Sequence, residues 1–119
     1  MLRFVEEAPD NLLEMSALKK KRSGLPVNLY LDDTGNYRKS GHWKRIKFQG
    51  DYGDRTNPSN LITMSISATP EILPKNVKVK LPAKDIEAIR QFVIQNEQLL
   101  SDLSDEKIDF VEFVKNMKV

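Results

Sequence analysis

Alternating apolar and polar residues predict an antiparallel sheet in the middle of the chain. Four runs alternate with the period of a half-buried strand, and polar or proline-containing segments separate them. These runs cover residues 27–31, 42–49, 61–67 and 77–81. We expect their apolar side chains to face a core and their polar side chains to face outward. The first two runs are joined by turn residues and predict a hairpin.

Helical spacing replaces this alternation on both sides of the predicted sheet. After Pro82, apolar residues three and four positions apart predict an amphipathic helix over residues 83–100. A shorter helix is predicted over about residues 11–21, ending at the glycine of Ser23-Gly24. The last helix is predicted over about 105–117, with Ser104 as its N-cap.

Together these elements predict one α+β domain. We expect an antiparallel sheet of four to five strands, with amphipathic helices packed on one face. Residues 1–26 would form an N-terminal arm and helix, and residues 27–119 would form the α+β core domain with the C-terminal helices. A chain of 119 residues is long enough for a core of its own.

The last predicted helix carries a large apolar surface for a terminal segment. Phe110, Phe113 and Met117 share one of its faces. This face either packs beside the first helix or pairs with another subunit. The second alternative predicts a homodimer or a protein partner that docks on the helices.

Composition excludes several classes of site. The chain has no cysteine, which removes disulfides, thiolate metal sites and a cysteine nucleophile. Its single histidine, His42, has no metal-ligand or nucleophile motif around it, so we expect neither an enzyme nor a cofactor. No apolar run reaches the length of a membrane span, and the first residues lack a signal-peptide core. These features predict a cytoplasmic protein.

Positive charge is concentrated in the segment that contains the predicted hairpin. The net charge is only +2, but residues 19–49 carry nine Lys or Arg against two Asp. Residues 85–119 have the opposite balance, with four basic and eight acidic residues. This asymmetry predicts a local positive field on the sheet. The basic run at residues 19–22 suits either a solvated helix end or a phosphate contact.

The outer face of the sheet combines cations with aromatic rings. Cations attract phosphate groups, and aromatic rings stack on unpaired bases. The predicted function is therefore a small, non-catalytic protein that binds nucleic acid and prefers single strands. Its predicted binding residues are Tyr30, Arg38, Lys39, Trp43, Arg45, Lys47, Lys78 and Lys80. The alternative function is a protein–protein assembly or regulatory module that acts through its helical face.

Four strands followed by a helix, with the strand-to-helix segment Val77–Leu100, form an order that resembles the positive cofactor four, Whirly and Pur families. The likeness covers about residues 27–100 and concerns the order of elements. It implies a curved antiparallel sheet that binds single-stranded DNA and helices that form a dimer. No functional residue is carried across by this likeness.

Overall fold

The chain folds into a five-stranded antiparallel sheet followed by three helices. A computed structural model describes residues 15–52 and 58–119. Each strand pairs with the next strand of the chain, which confirms the predicted α+β class and antiparallel sheet. The strands are β1 (Met15–Leu18), β2 (Leu29–Asp32), β3 (Arg45–Gln49), β4 (Leu61–Ser65) and β5 (Ile72–Leu73).

Short helical turns connect the strands, and longer helices follow them. Among the described residues the helices are α1 (Lys20–Ser23), α2 (Asn36–Ser40), α3 (Ala83–Gln95), α4 (Glu97–Ser104) and α5 (Phe110–Asn116), with a 3-10 turn at Pro58–Asn60. Helix α4 packs against β2 and against α5. The C-terminal helices therefore cover the apolar face of the sheet.

The pairing register keeps apolar residues of neighbouring strands on one face. Leu29 lies opposite Phe48, and Leu31 lies opposite Ile46; all four side chains are fully buried. A slip of one residue would turn every one of these side chains to the other face, so burial fixes the register. The helices complete this core with Ile89, Phe92, Val93, Leu100, Leu103 and Phe113.

The helix predicted over about residues 11–21 is wrong where the structure describes it. Met15–Leu18 is a strand that pairs with β2 along its whole length, and residues 1–14 lie outside the described residues. A single helical turn, α1, follows this strand. It ends at Gly24, whose φ of 79° is the left-handed conformation that glycine adopts without steric cost.

The strand predicted over residues 77–81 is also wrong. The edge of β4 is occupied by β5 instead, which pairs with Thr63 and Met64. Since β5 already fills this edge, residues 77–81 are not part of the sheet. Leu81 is nevertheless buried, and Val79 packs against the core. Val77, which the alternation also predicted to face inward, is instead 36% exposed, so the alternation holds for two of its three apolar positions and did not produce a hydrogen-bonded strand.

A helical turn, α2, lies in the connection between β2 and β3. The carboxylate of Asp32 accepts hydrogen bonds from the backbone N–H groups of Thr34, Asn36 and Tyr37, at oxygen–nitrogen distances of 3.1, 3.0 and 3.0 Å. The first backbone N–H groups of a helix have no hydrogen-bond acceptor within the helix. Because the Asp32 carboxylate accepts from N–H groups at the start of α2, it favours a helical turn over an extended strand here.

The helix predicted over residues 83–100 begins at Ala83 but is interrupted at Asn96, and the last helix begins and ends at positions other than the predicted ones. Asn96 separates α3 from α4, and its amide also holds the C-terminus. The side chain donates to the Lys118 carbonyl oxygen at 2.9 Å and accepts from the Lys118 N–H at 2.7 Å. Ser104 ends α4 and does not cap α5. Asp109 is the N-cap of α5, and its Oδ1 accepts a hydrogen bond from the Glu112 N–H at 2.8 Å.

Candidate nucleic-acid interface

The outer face of the sheet is not the open platform that the alternation predicted. Tyr30, a predicted stacking residue, is only 3% exposed, and Thr63, two strands away across Lys47, is 8% exposed. Arg45 and Lys47 are half-buried, and the Lys47 Nζ donates to the Thr63 Oγ1 at 2.9 Å. The period of a strand shows which face a side chain takes, but not whether that face is covered. Tyr30 therefore offers no free ring surface to a base.

Two of the predicted cations lie outside the sheet. Lys78 and Lys80 are exposed, but they belong to the extended segment between β5 and α3. They therefore do not continue the row of side chains that contains Lys47. The structure separates them from the predicted platform.

Trp43 is the predicted residue that is both aromatic and open to solvent. It lies just before β3 and is 62% exposed. The indole Nε1 donates to the Ile66 carbonyl oxygen at 3.2 Å. The Tyr37 ring lies 6.0 Å from the indole, centroid to centroid, at an interplanar angle of 68°, a favourable edge-to-face arrangement. The indole is held in one orientation while most of its surface faces water.

Lys44 is a functional candidate that the sequence interpretation missed. It is only 5% exposed, and its Nζ donates to the Ser101 Oγ at 2.5 Å and to the Asp105 Oδ2 at 2.7 Å. The same Nζ lies 5.1 Å from the Trp43 ring centroid and 5.5 Å from that of Tyr37, a distance at which a cation is attracted to an aromatic face. Lys44 thus joins the indole to the end of α4.

Asp105 is the anion at the centre of this group. Besides Lys44, the Tyr37 hydroxyl donates to its Oδ1 at 2.5 Å, and the Arg38 guanidinium lies 3.3 Å from the same oxygen. The hydrogen bond from Lys44, followed by that from Tyr37, holds the pKa of Asp105 below its ordinary value. We call Tyr37, Arg38, Trp43, Lys44 and Asp105 the Trp43 cluster.

The lowered pKa of Asp105 predicts how its contribution to stability depends on pH. A carboxyl with a lowered folded-state pKa stabilises the protein fully above its ordinary pKa, here 3.8, and loses that contribution as the pH falls through the folded-state value. We expect the destabilisation caused by Asp105→Asn, measured by urea unfolding, to be largest near neutral pH and to shrink in acid below 3.8. A difference that stays constant over this range would contradict the ion pair.

Arg38 and Lys39 lie on α2, beside this group in sequence. Arg38 is about half exposed, and its second terminal nitrogen lies 3.1 Å from Glu106 Oε1. Lys39 is exposed. Of the eight predicted binding residues, the structure brings together Arg38 and Trp43 and joins them to Tyr37 and Lys44.

His42, the single histidine, lies beside Trp43 just before β3. Its Nδ1 lies 2.7 Å from the Trp43 carbonyl oxygen. Residues 15–52 and 58–119 contain no group of three or more His, Asp or Glu side chains placed to hold a metal ion. In the same residues no helix has the length and apolar character required to cross a bilayer.

The predicted partner face of the last helix is directed at the protein's own core. Phe113 is fully buried, while Phe110 and Met117 are half-buried and pack against the core. This face therefore packs on this chain, where α5 lies against α4. The homodimer stays a prediction.

Comparison with models of known protein families, with curated proteins and with solved structures finds no significant match. The sequence likeness to single-stranded-DNA-binding families depended on a strand at the start of Val77–Leu100, and residues 77–81 are not a strand.

Proposed function

We propose that this protein binds single-stranded nucleic acid, with Trp43 as the base-stacking residue. The observation that carries the proposal is an indole that is 62% exposed and yet held by a hydrogen bond and an edge-to-face ring contact. A stacking surface that is already ordered loses little conformational entropy when a ligand binds. Most exposed side chains have no such constraint.

The surroundings of Trp43 suit a nucleotide. Lys44 approaches the indole from the protein interior, and the exposed surface can stack on a base, an interaction worth about 1–3 kcal/mol per base. Arg38 and Lys39 supply cations on the neighbouring helical turn for phosphate oxygens. Stacking does not depend on base identity, so this chemistry supports binding without strong sequence preference.

Replacing Trp43 by alanine is expected to weaken oligonucleotide binding about 5- to 150-fold, the equivalent of one lost stacking contact. Affinity is measured by fluorescence anisotropy with a labelled single-stranded DNA of about 15 nucleotides, at about 50 mM and 200 mM salt. Trp43→Phe keeps a ring and should retain most of the affinity. Since Trp43 is the only tryptophan of the chain, quenching of intrinsic fluorescence reports contact directly.

Tyr52 provides a matched control, because it is an aromatic residue 57% exposed at a different place in the chain. Tyr52→Ala should bind the oligonucleotide like the wild type. Absence of binding at the lower salt concentration, or equal affinity of Trp43→Ala and the wild type, would reject the proposal. Circular dichroism checks that each variant is folded.

A further inference from the structure

A groove between β1 and α5 lies away from the Trp43 cluster. It encloses about 450 Å³, a volume within the usual range for ligand sites. Leu18, which lines it, pairs with Leu29 at one end of the sheet, whereas Trp43 precedes β3 at the opposite end of the strands. The groove and the Trp43 cluster can therefore be tested separately.

The floor of the groove is apolar and partly open to water. Leu18, Phe110 and Val114 contribute to it, and Val111 is 64% exposed at its side. Val111 is not required to hold α5 on the core, because Phe113 on the opposite side of the helix is fully buried there. A partner that covers this exposed side chain and the concave apolar floor removes apolar surface from water, which favours binding.

Three exposed cations surround this floor. Lys19 and Arg22 come from the β1–α1 segment, and Lys115 comes from the last turn of α5. Within residues 15–52 and 58–119, none of the three forms an ion pair with a carboxylate. Lys115 alone would suit the negative end of its helix. Cations that converge from two elements instead favour an anionic partner.

We infer that this groove binds an acidic peptide segment of a partner protein, with apolar side chains on the floor and carboxylates beside Lys19, Arg22 and Lys115. An inorganic anion would leave the floor in water, and a purely apolar segment would desolvate the cations without a partner for them. A nucleic acid would need ring faces for its bases, but the floor is mainly aliphatic, and the one ring, Phe110, packs against the core.

The test uses a small set of fluorescein-labelled peptides in which leucines are interspersed among glutamates at different spacings, measured by anisotropy. We expect at least one peptide to bind the wild-type protein. Val111→Asp and Arg22→Glu should each weaken this binding at least about tenfold, because they place negative charge beside the carboxylates. Val119→Asp is the matched control: Val119 is 82% exposed in the same C-terminal segment, and its variant should bind like the wild type.

Two competing ligands separate the alternatives. A glutamate-only peptide of equal charge should bind at least about tenfold more weakly than the leucine-containing peptide, and equal affinity would overturn the inference by showing that charge alone acts. A single-stranded oligonucleotide could instead displace the peptide, and Val111→Asp could also weaken the binding of that oligonucleotide. This result would assign the groove to nucleic acid and overturn the inference. Failure of every peptide in the set to bind would overturn it too. Unchanged peptide binding by Trp43→Ala would support a site separate from the Trp43 cluster.

Discussion

Replacing Phe113 by alanine is expected to lower the free energy of unfolding by about 3–5 kcal/mol. Phe113 is fully buried on α5 and belongs to the same core cluster as Leu103 and Leu100 of α4. Its removal loses the apolar area of a ring and leaves a cavity that the rigid strands cannot fill. Urea unfolding followed by circular dichroism measures the change as a lower midpoint with an unchanged slope.

Val111 on the same helix is the control for this prediction. It is 64% exposed, so Val111→Ala should change stability by no more than about 0.5 kcal/mol. Equal effects of the two alanine variants would contradict the packing of α5 on the core. Phe113→Asp should unfold the protein, because it would place an unpaired carboxylate in the core.

Lys44→Met is expected to cost about 2–4 kcal/mol of stability. Methionine nearly fills the volume of the lysine stem, so the main loss is the ammonium that bonds to Ser101 and Asp105. Removing one partner of a buried ion pair leaves the other charge without compensation. The cost stays below the top of the usual range because Asp105 is 24% exposed and keeps its bonds from Tyr37 and Arg38.

Two controls separate burial from charge. The Lys75 Nζ lies 3.6 Å from the Glu71 Oε1, and the two side chains are 80% and 54% exposed. Because this ion pair is on the surface, Lys75→Met should change the free energy of unfolding by no more than about 0.5 kcal/mol. The double variant Lys44→Met with Asp105→Leu should recover part of the loss, because no uncompensated charge remains. Equal unfolding midpoints for Lys44→Met and Lys75→Met would show that the buried pair contributes nothing.

The same pair connects stability with the proposed binding site. Lys44 lies under the Trp43 indole and is tied to the end of α4 by Asp105. The orientation of the exposed indole therefore depends on α4, although Lys44 and Asp105 are 61 residues apart in the chain.

The alternation of the strands was enough to predict which residues form the core. Val27, Leu29, Leu31, Ile46 and Phe48 are all fully buried, as the period of two required. The same period contains the signal that points to Lys44. It stands between the outward positions 43 and 45, so it shares the inward face with Ile46 and Phe48, and a lysine at such a position needs an anion.

Burial of the outer face could not be read from this alternation. Tyr30 and Trp43 were both predicted to point outward, yet one is 3% and the other 62% exposed. A local pattern fixes the direction of a side chain relative to its strand, whereas its exposure depends on segments distant in sequence. The predicted division into residues 1–26 and 27–119 stays a prediction, although β1 within the first part pairs with β2.

The sequence by itself determined the α+β class, the antiparallel sheet, the inward-facing positions of its strands and the end of α1 at Gly24. These features depend on periodicity and backbone preference within a few residues. Only the tertiary structure decided that β5 rather than residues 77–81 pairs with β4, that Asp105 neutralises Lys44, and that Trp43 rather than Tyr30 remains open. Strand pairs and ion pairs join residues far apart in the chain, and competition among partners in three dimensions selects them.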